Sequence, residues 1–379
     1  MFFGLILGIK QFIFFPEQRL LLGVFLCMLI FSLVAQASVN DVGAILRSFK
    51  EILYIPIIYW ASCIKNKKQT LKYIVFFGCV AYSANILLYL QNFSVDNTIW
   101  SGPESISSGM SNRGFDILSF QLVQLSGLAH GIWGSYCVLI FILAVSLKKT
   151  GVISGKQLFI VGVLFFINIV ITISRETILV LIIIYALSFL RSKISILKRA
   201  LIVGSFIMII IAIAIWGSSL PVVQKISYTY EALSESGSEG NFSLRVNTWQ
   251  AYFTFLGSHV EYIFMGLGLS PDNFYNHISN YTHQEIVSVP ESAMVYTQAY
   301  GGIFSFLFFF TLIITAAFKI NKNSAYKLIK YFFIGILITN VMSSVSMFSD
   351  LLYAHLCLIY GLLIVKNNEI KSDAIISES

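Results

Sequence analysis

Residues Gln224–Phe255, QKISYTYEALSESGSEGNFSLRVNTWQAYFTF, and Met265–Ser292, MGLGLSPDNFYNHISNYTHQEIVSVPES, make up most of the one long polar interval in a chain that is otherwise almost continuously apolar. Three of the five histidines, His259, His277 and His283, lie in this interval. So does Arg245, which opens the amphipathic pattern Arg245, Trp249, Tyr252, Leu256 at helical steps of three and four. Read as a loop on the water side of a membrane core, residues 220–290 form the major extracytoplasmic loop, with short helices inside it.

Working outward, the rest of the chain has too little polarity for water. Its 379 residues are 57% hydrophobic and 11% charged, and the mean hydropathy is +0.81. No single aqueous core of that length hides so much apolar surface, so a soluble domain is excluded as a reading. A helix needs about 20 apolar residues to span a bilayer. On that measure the expected spans are 20–39, 44–64, 71–91, 128–147, 157–174, 176–190, 199–219, 291–318, 328–346 and 350–365, with 1–15 as an interfacial piece or an eleventh short span. The expected fold is therefore all-α, a polytopic integral membrane protein of about ten to eleven helices forming one transmembrane domain over 1–379.

The net charge of +7 could suggest a nucleic-acid partner, but its distribution points to topology instead. Lysines and arginines gather in short patches between apolar runs, at Lys65–Lys72, Lys148–Lys156, Arg191–Arg199, Lys319–Lys330 and Lys366–Lys371. Patches at alternate loops mark the cytoplasmic side. Ten spans then leave both termini cytoplasmic and put 92–127 outside as the first extracytoplasmic loop. The start, MFFGLILGIKQFIFFPEQR, lacks a basic n-region and a small-residue cleavage site, so a cleavable signal peptide is not expected. The five cysteines all fall in apolar runs without C-x-x-C spacing and read as small buried hydrophobes. Neither disulfides nor a structural metal are expected.

Basic residues on the outer side are few, and each calls for a reason: Arg47, Lys50, Arg113, Arg175, Lys225 and Arg245. Arg175 lies in Ser174-Arg175-Glu176-Thr177, which interrupts an apolar run from Leu158 to Leu190. Charges set into membrane segments face cavities and serve function, or else mark a tight outer turn with Arg175 paired to Glu176 or reaching headgroups. Arg245 either offers its planar fork to a phosphate or sits on an interfacial helix with Trp249 in the aromatic belt. Arg47 and Lys50, beside Glu51, line a cleft for an anionic headgroup or mark an interfacial turn. His277, His283, Glu285 and Glu291 are the acid/base inventory at the end of the loop, although Glu291, after Pro290, is also what a helix start favours. His130 and His355 read as structural.

Arg175 in a T-x-S-R-E break, a long outer loop with R-x-x-x-W (Arg245, Trp249), and a helix opening P-E-S-A-M-V-Y-T-Q-A-Y-G-G-I-F (Pro290 to Phe304) together resemble the bacterial O-antigen polymerase and O-antigen ligase superfamily. The resemblance spans Arg19 to Lys366 in layout, through short motifs. It implies an inverting, metal-independent membrane glycosyltransferase that needs no cofactor, sits in the bacterial inner membrane, and acts on undecaprenyl-diphosphate-linked glycans as donor and acceptor. A chain-length regulator and a flippase would be its partners, besides membrane lipids. In the family, arginines hold the donor diphosphate; here they map onto Arg175 and Arg245, with Arg47 or Lys50 as a third. Glu291-Ser292 replaces the histidine-containing pair usual in the ligase branch, which favours the polymerase and leaves the base open between Glu291 and His283. The competing readings are the ligase that joins glycan to lipid A core and, from a different class, a lipid-linked oligosaccharide flippase or transporter. The lopsided outer loop and lack of an internal repeat count against the transporter.

Overall fold

The computed structural model describes residues 55–62, 64–94, 130–172, 175–190, 241–268, 271–282, 286, 290, 292–319, 324–343 and 350–363. Among these residues the chain is all-α, with no strand. In chain order the helices are α1 (Ile55–Ser62), α2 (Lys67–Ser94), α3 (His130–Lys149), α4 (Gly155–Thr172), α5 (Arg175–Leu190), α6 (Asn241–Ser258), α7 (Glu261–Met265), α8 (Pro271–Thr282), α9 (Ala293–Lys319), α10 (Lys327–Ser343) and α11 (Asp350–Leu363). The apolar runs expected at 71–91, 128–147, 157–174, 176–190, 328–346 and 350–365 each coincide with a helix to within a few residues. Short helices α6, α7 and α8 occupy the described part of the polar interval. The runs 1–15, 20–39 and 199–219 lie outside the described residues, as does the 92–127 loop beyond the end of α2.

Two of these helices, over Lys67–Leu87 and Gly131–Lys149, are long and apolar enough to cross a membrane; α4, α5 and α11 are apolar but shorter. The described helices fall into two compact units, one within residues 74–244 and one within 1–73 and 245–379.

In the 74–244 unit, α3 is the central helix. Its residues from Trp133 to Ile140 are all buried, and it packs on both α4 and α5. The link from α3 to α4 is short because Ser154 caps α4: its hydroxyl accepts from Gln157 N–H at 3.2 Å while its own N–H donates to Gln157 Oε1 at 2.8 Å. This reciprocal pair satisfies two donors that a helix start otherwise leaves open. Phe141 and Phe165 stack across α3 and α4 with centroids 4.4 Å apart.

A buried polar knot ties three helices of this unit. Asn168 Oδ1 on α4 accepts from Asn85 Nδ2 on α2 at 2.9 Å and from Trp133 Nε1 on α3 at 3.2 Å. Its amide Nδ2 donates back to Tyr82 O and to Leu164 O. Removing one partner from such a knot strands the others away from water, which costs about 1–3 kcal/mol. Asn168→Leu, close in volume, is therefore expected to lower the thermal midpoint of the purified protein in detergent, and an unchanged midpoint would mean the knot holds nothing.

The outward side of α4 is apolar as well. Phe159, Ile160, Val163, Phe166 and Val170 are exposed, Phe159 at 72% and Phe166 at 68%. On α2, Phe76, Phe77, Val80 and Leu87 are exposed too. Helices that are apolar on both their packed and outward sides are what lipid, not water, accommodates.

In the other unit, α1 lies against α11, close enough that a methyl group at Gly361 would overlap the Ile58 carbonyl. Helices α9 and α10 pack together, and Ser292 Oγ, just before α9, donates to Val341 O at 2.9 Å. The polar interval is anchored to this unit through α6, α7 and α8.

Candidate functional site

At the Ser-Arg-Glu-Thr interruption, α4 is described to Thr172 and α5 from Arg175, and residues 173 and 174 lie outside the described residues. Arg175 is the first residue of α5, and Glu176 lies in its first turn, where a carboxylate is favoured by the exposed N–H groups. That first turn is pressed onto α3. A methyl group at Gly131 would overlap the Glu176 carboxylate, and one at Gly134 would overlap the Thr177 hydroxyl. The two glycines of His130-Gly131-Ile132-Trp133-Gly134 thus admit α5's polar first turn, and Trp133 between them holds the Asn168 knot. This is how the backbone of Arg175 is fixed; its side chain lies outside the described residues.

Arg245 lies in the first turns of α6 and is half-buried. The pattern that begins with it does what helical spacing requires. Thr248, Ala251, Tyr252, Phe255 and Leu256 are buried, and Trp249 packs against the same cluster. That cluster takes Phe274 and Ile278 from α8 and Val295, Ala299 and Tyr300 from α9. The rings form a relay from α6 to α9: Tyr252 to Phe274 at 5.6 Å, Phe274 stacked on Tyr300 at 6.1 Å, and Tyr300 stacked on Tyr296 at 4.4 Å. Trp249 is partly buried and packs against this cluster. Trp249 Nε1 and the Tyr252 hydroxyl are buried without a hydrogen-bond partner among the described residues.

The helix that opens with Ser292 is broken at its Gly-Gly step. Gly302 has φ 66° and ψ −167° inside α9, and Gly266, at the end of α7, has φ 68° and ψ −174°. The two backbones cross there. A methyl group at Gly302 would overlap the Phe264 carbonyl, and one at Gly266 would meet the Gly302 and Gly301 nitrogens. The Ala299 carbonyl, freed by the break, accepts from Leu267 N–H. Gln298 Nε2 donates to the Ile263 carbonyl at 3.2 Å and lies 3.4 Å from that of Tyr262, both near the end of α7. Gly266-Leu267-Gly268 and Gly301-Gly302 are thus one joint between the polar interval and α9.

His277 sits on α8, half-buried, with ring centroids 6.3 Å from Phe255 and 5.7 Å from Tyr262. Burial first, and then the neighbouring His259, push its pKa down from the ordinary histidine value. His259 stacks on Phe255 at 4.5 Å, with Nδ1 3.2 Å from the Phe255 carbonyl. Both rings belong to the packing of α6, α7 and α8. His355 on α11 has Nδ1 2.7 Å from the Leu351 carbonyl, the structural role expected of it.

Of the site residues expected from sequence, Arg245 is described in full and Arg175 by its backbone. Glu291, His283, Arg47 and Lys50 lie outside the described residues. Gly131, Gly134, Asn85, Asn168 and Gly266 were not expected to matter. Asparagines inside apolar runs were the available signal for two of them. Among the described residues no group of three or more His, Cys, Asp or Glu could hold a metal ion. No protein-family model matches the chain, and no curated protein matches it.

Proposed function

We propose that this chain is a multi-pass membrane glycosyltransferase of the O-antigen polymerase type, crossing the bacterial inner membrane about ten times with both termini in the cytoplasm. It joins undecaprenyl-diphosphate-linked repeat units on the outer face of that membrane. The observation that carries this reading is the joint packing of α6, which bears Arg245, with α9, which opens after Ser292. Two of the stretches on which the family resemblance rests are thereby parts of one packed body, and its Gly-Gly step is a structural joint. The exposed apolar faces of α2 and α4 support the membrane setting.

In this reading a hydroxyl of the acceptor sugar attacks the anomeric carbon of the donor. The bond to the lipid diphosphate breaks, with inversion, and the diphosphate leaves with the bonding electrons. Basic side chains neutralise that charge, a task the family resemblance assigns to Arg175 and Arg245, with Arg47 or Lys50 as a third. Glu291 or His283 takes the proton of the attacking hydroxyl. Arginine suits the task because it stays charged at any working pH and presents two parallel donors to one phosphate.

The test is a strain deleted for the gene. It is expected to carry a single repeat unit on its core glycolipid, with the full ladder of chain lengths restored by the wild-type chain and not by Arg175→Ala. Core with no attached sugar, and lipid-linked polymer accumulating, would replace this reading by the ligase. An unaltered ladder in the deletion strain would remove the glycan-joining reading altogether.

A further inference from the structure

We infer that the outward face of α6 and α7 is a membrane-docking surface, seated in the outer-leaflet interface, so that the polar interval lies on the lipid instead of standing free in water. This rests on the membrane reading above. Four apolar side chains along these two short helices, Val246, Phe253, Val260 and Phe264, are exposed, Phe253 at 61% and Phe264 at 53%. They are not leftovers of a poorly packed loop, since the opposite side of α6 is fully committed to the cluster around Tyr252 and Phe274.

Three observations choose lipid as the occupant. First, residues 246–260 contain no Asp, Glu, Lys or Arg, and the one charge between Val246 and Phe264 is the exposed Glu261 at the start of α7. Second, the exposed side of α6 is divided lengthwise: Val246 and Phe253 form one row, and Asn247, Gln250 and Thr254, also exposed, form a polar row about 100° around the helix. A helix lying in an interface needs that arrangement, one edge in acyl chains and the other among headgroups. Third, the apolar row continues onto a span. Phe264 meets α9 at the Gly302 break, and beyond the break α9 runs from Ile303 to Phe318 without a charge, with Leu307 exposed at 46%. Lipid around that half of α9 comes up against the end of α7.

The docked surface would hold Arg245, on the same helix, at headgroup level, where a lipid-borne diphosphate lies.

The test uses the full chain in vesicles of phosphatidylethanolamine and phosphatidylglycerol containing an alkyne-tagged phospholipid. The photoreactive residue benzoylphenylalanine replaces Phe253, Phe264 or Thr254 singly, with Phe166 on the apolar face of α4 as the reference. Irradiation is expected to give lipid adducts at 253 and 264 within about twofold of the yield at 166, and about fivefold above that at 254. Adducts at 166 with none at 253 and 264 would overturn the docking surface while leaving the membrane reading standing. Crosslinks from 253 or 264 to a second copy of the chain would also overturn it. No adduct at any position, 166 included, would overturn this inference together with the reading it rests on.

Discussion

Arg245→Ala should abolish the ladder of long surface polysaccharide while leaving as much protein in the membrane as the wild type. The side chain is half-buried at the start of α6, ahead of the residues that hold that helix in place. Packing of α6 onto α8 and α9 runs through Thr248, Ala251, Tyr252, Phe255 and Leu256, none of which the substitution touches. In the proposed reaction its effect falls on the leaving diphosphate, where losing one preorganised donor typically costs about 10²–10³ in rate. At that level a processive reaction gives no visible polymer. Arg245→Lys separates charge from geometry: an ammonium keeps the charge but offers a point in place of a fork, so short chains at roughly a tenth of the wild-type yield are expected. The measurements are the polysaccharide gel, the quantity of protein in isolated membranes, and the thermal midpoint in detergent. A full ladder from Arg245→Ala would end the diphosphate role for this residue, and lost protein would reduce Arg245 to a structural part.

How far the sequence could be read depended on which length scale governed each feature. The helices were legible because long apolar runs admit almost one structure, as α2 over Lys67–Ser94 and α3 over His130–Lys149 illustrate. Arg245, Trp249 and Tyr252 were legible as a face because helical periodicity is local. Which surroundings that face meets was not. The residues that suit an aromatic belt also suit a loop core, and only the arrival of Phe274 and Tyr300 puts Tyr252 in the core. The Asn85–Asn168 pair joins positions 83 residues apart, and no local pattern announces such a match. Gly131 and Gly134 carry no local signal for the same reason. Their function is to be small where Glu176 and Thr177 arrive from α5.

The Gly-Gly step shows the limit most sharply, and the second large effect is expected there. Two glycines inside an apolar run read equally well as close packing in a straight helix or as a break. In the structure it is a break, with the Phe264 carbonyl and the Gly266 backbone so close to Gly302 that no Cβ fits there. Gly302→Ala should therefore cost upward of about 3 kcal/mol, summing a backbone region open almost only to glycine and a methyl driven into the Phe264 carbonyl. Backbone atoms cannot rotate aside as a side chain could, so the joint must part. The Leu267–Ala299 and Gln298–Ile263 hydrogen bonds should part with it. Gly266→Ala should behave alike, because Gly266 shares the same backbone region and faces the Gly301 and Gly302 nitrogens. Gly257→Ala is the control of equal chemistry: that glycine lies in α6 with open space where the methyl would go, so the change should be neutral or stabilising by up to about 1 kcal/mol. Thermal midpoints of the three variants in detergent, read beside limited proteolysis of the 259–282 region, decide the matter. If Gly302→Ala melts with the wild type and its loop resists protease, α9 is continuous through residue 302, and the joint that ties the polar interval to this helix does not exist.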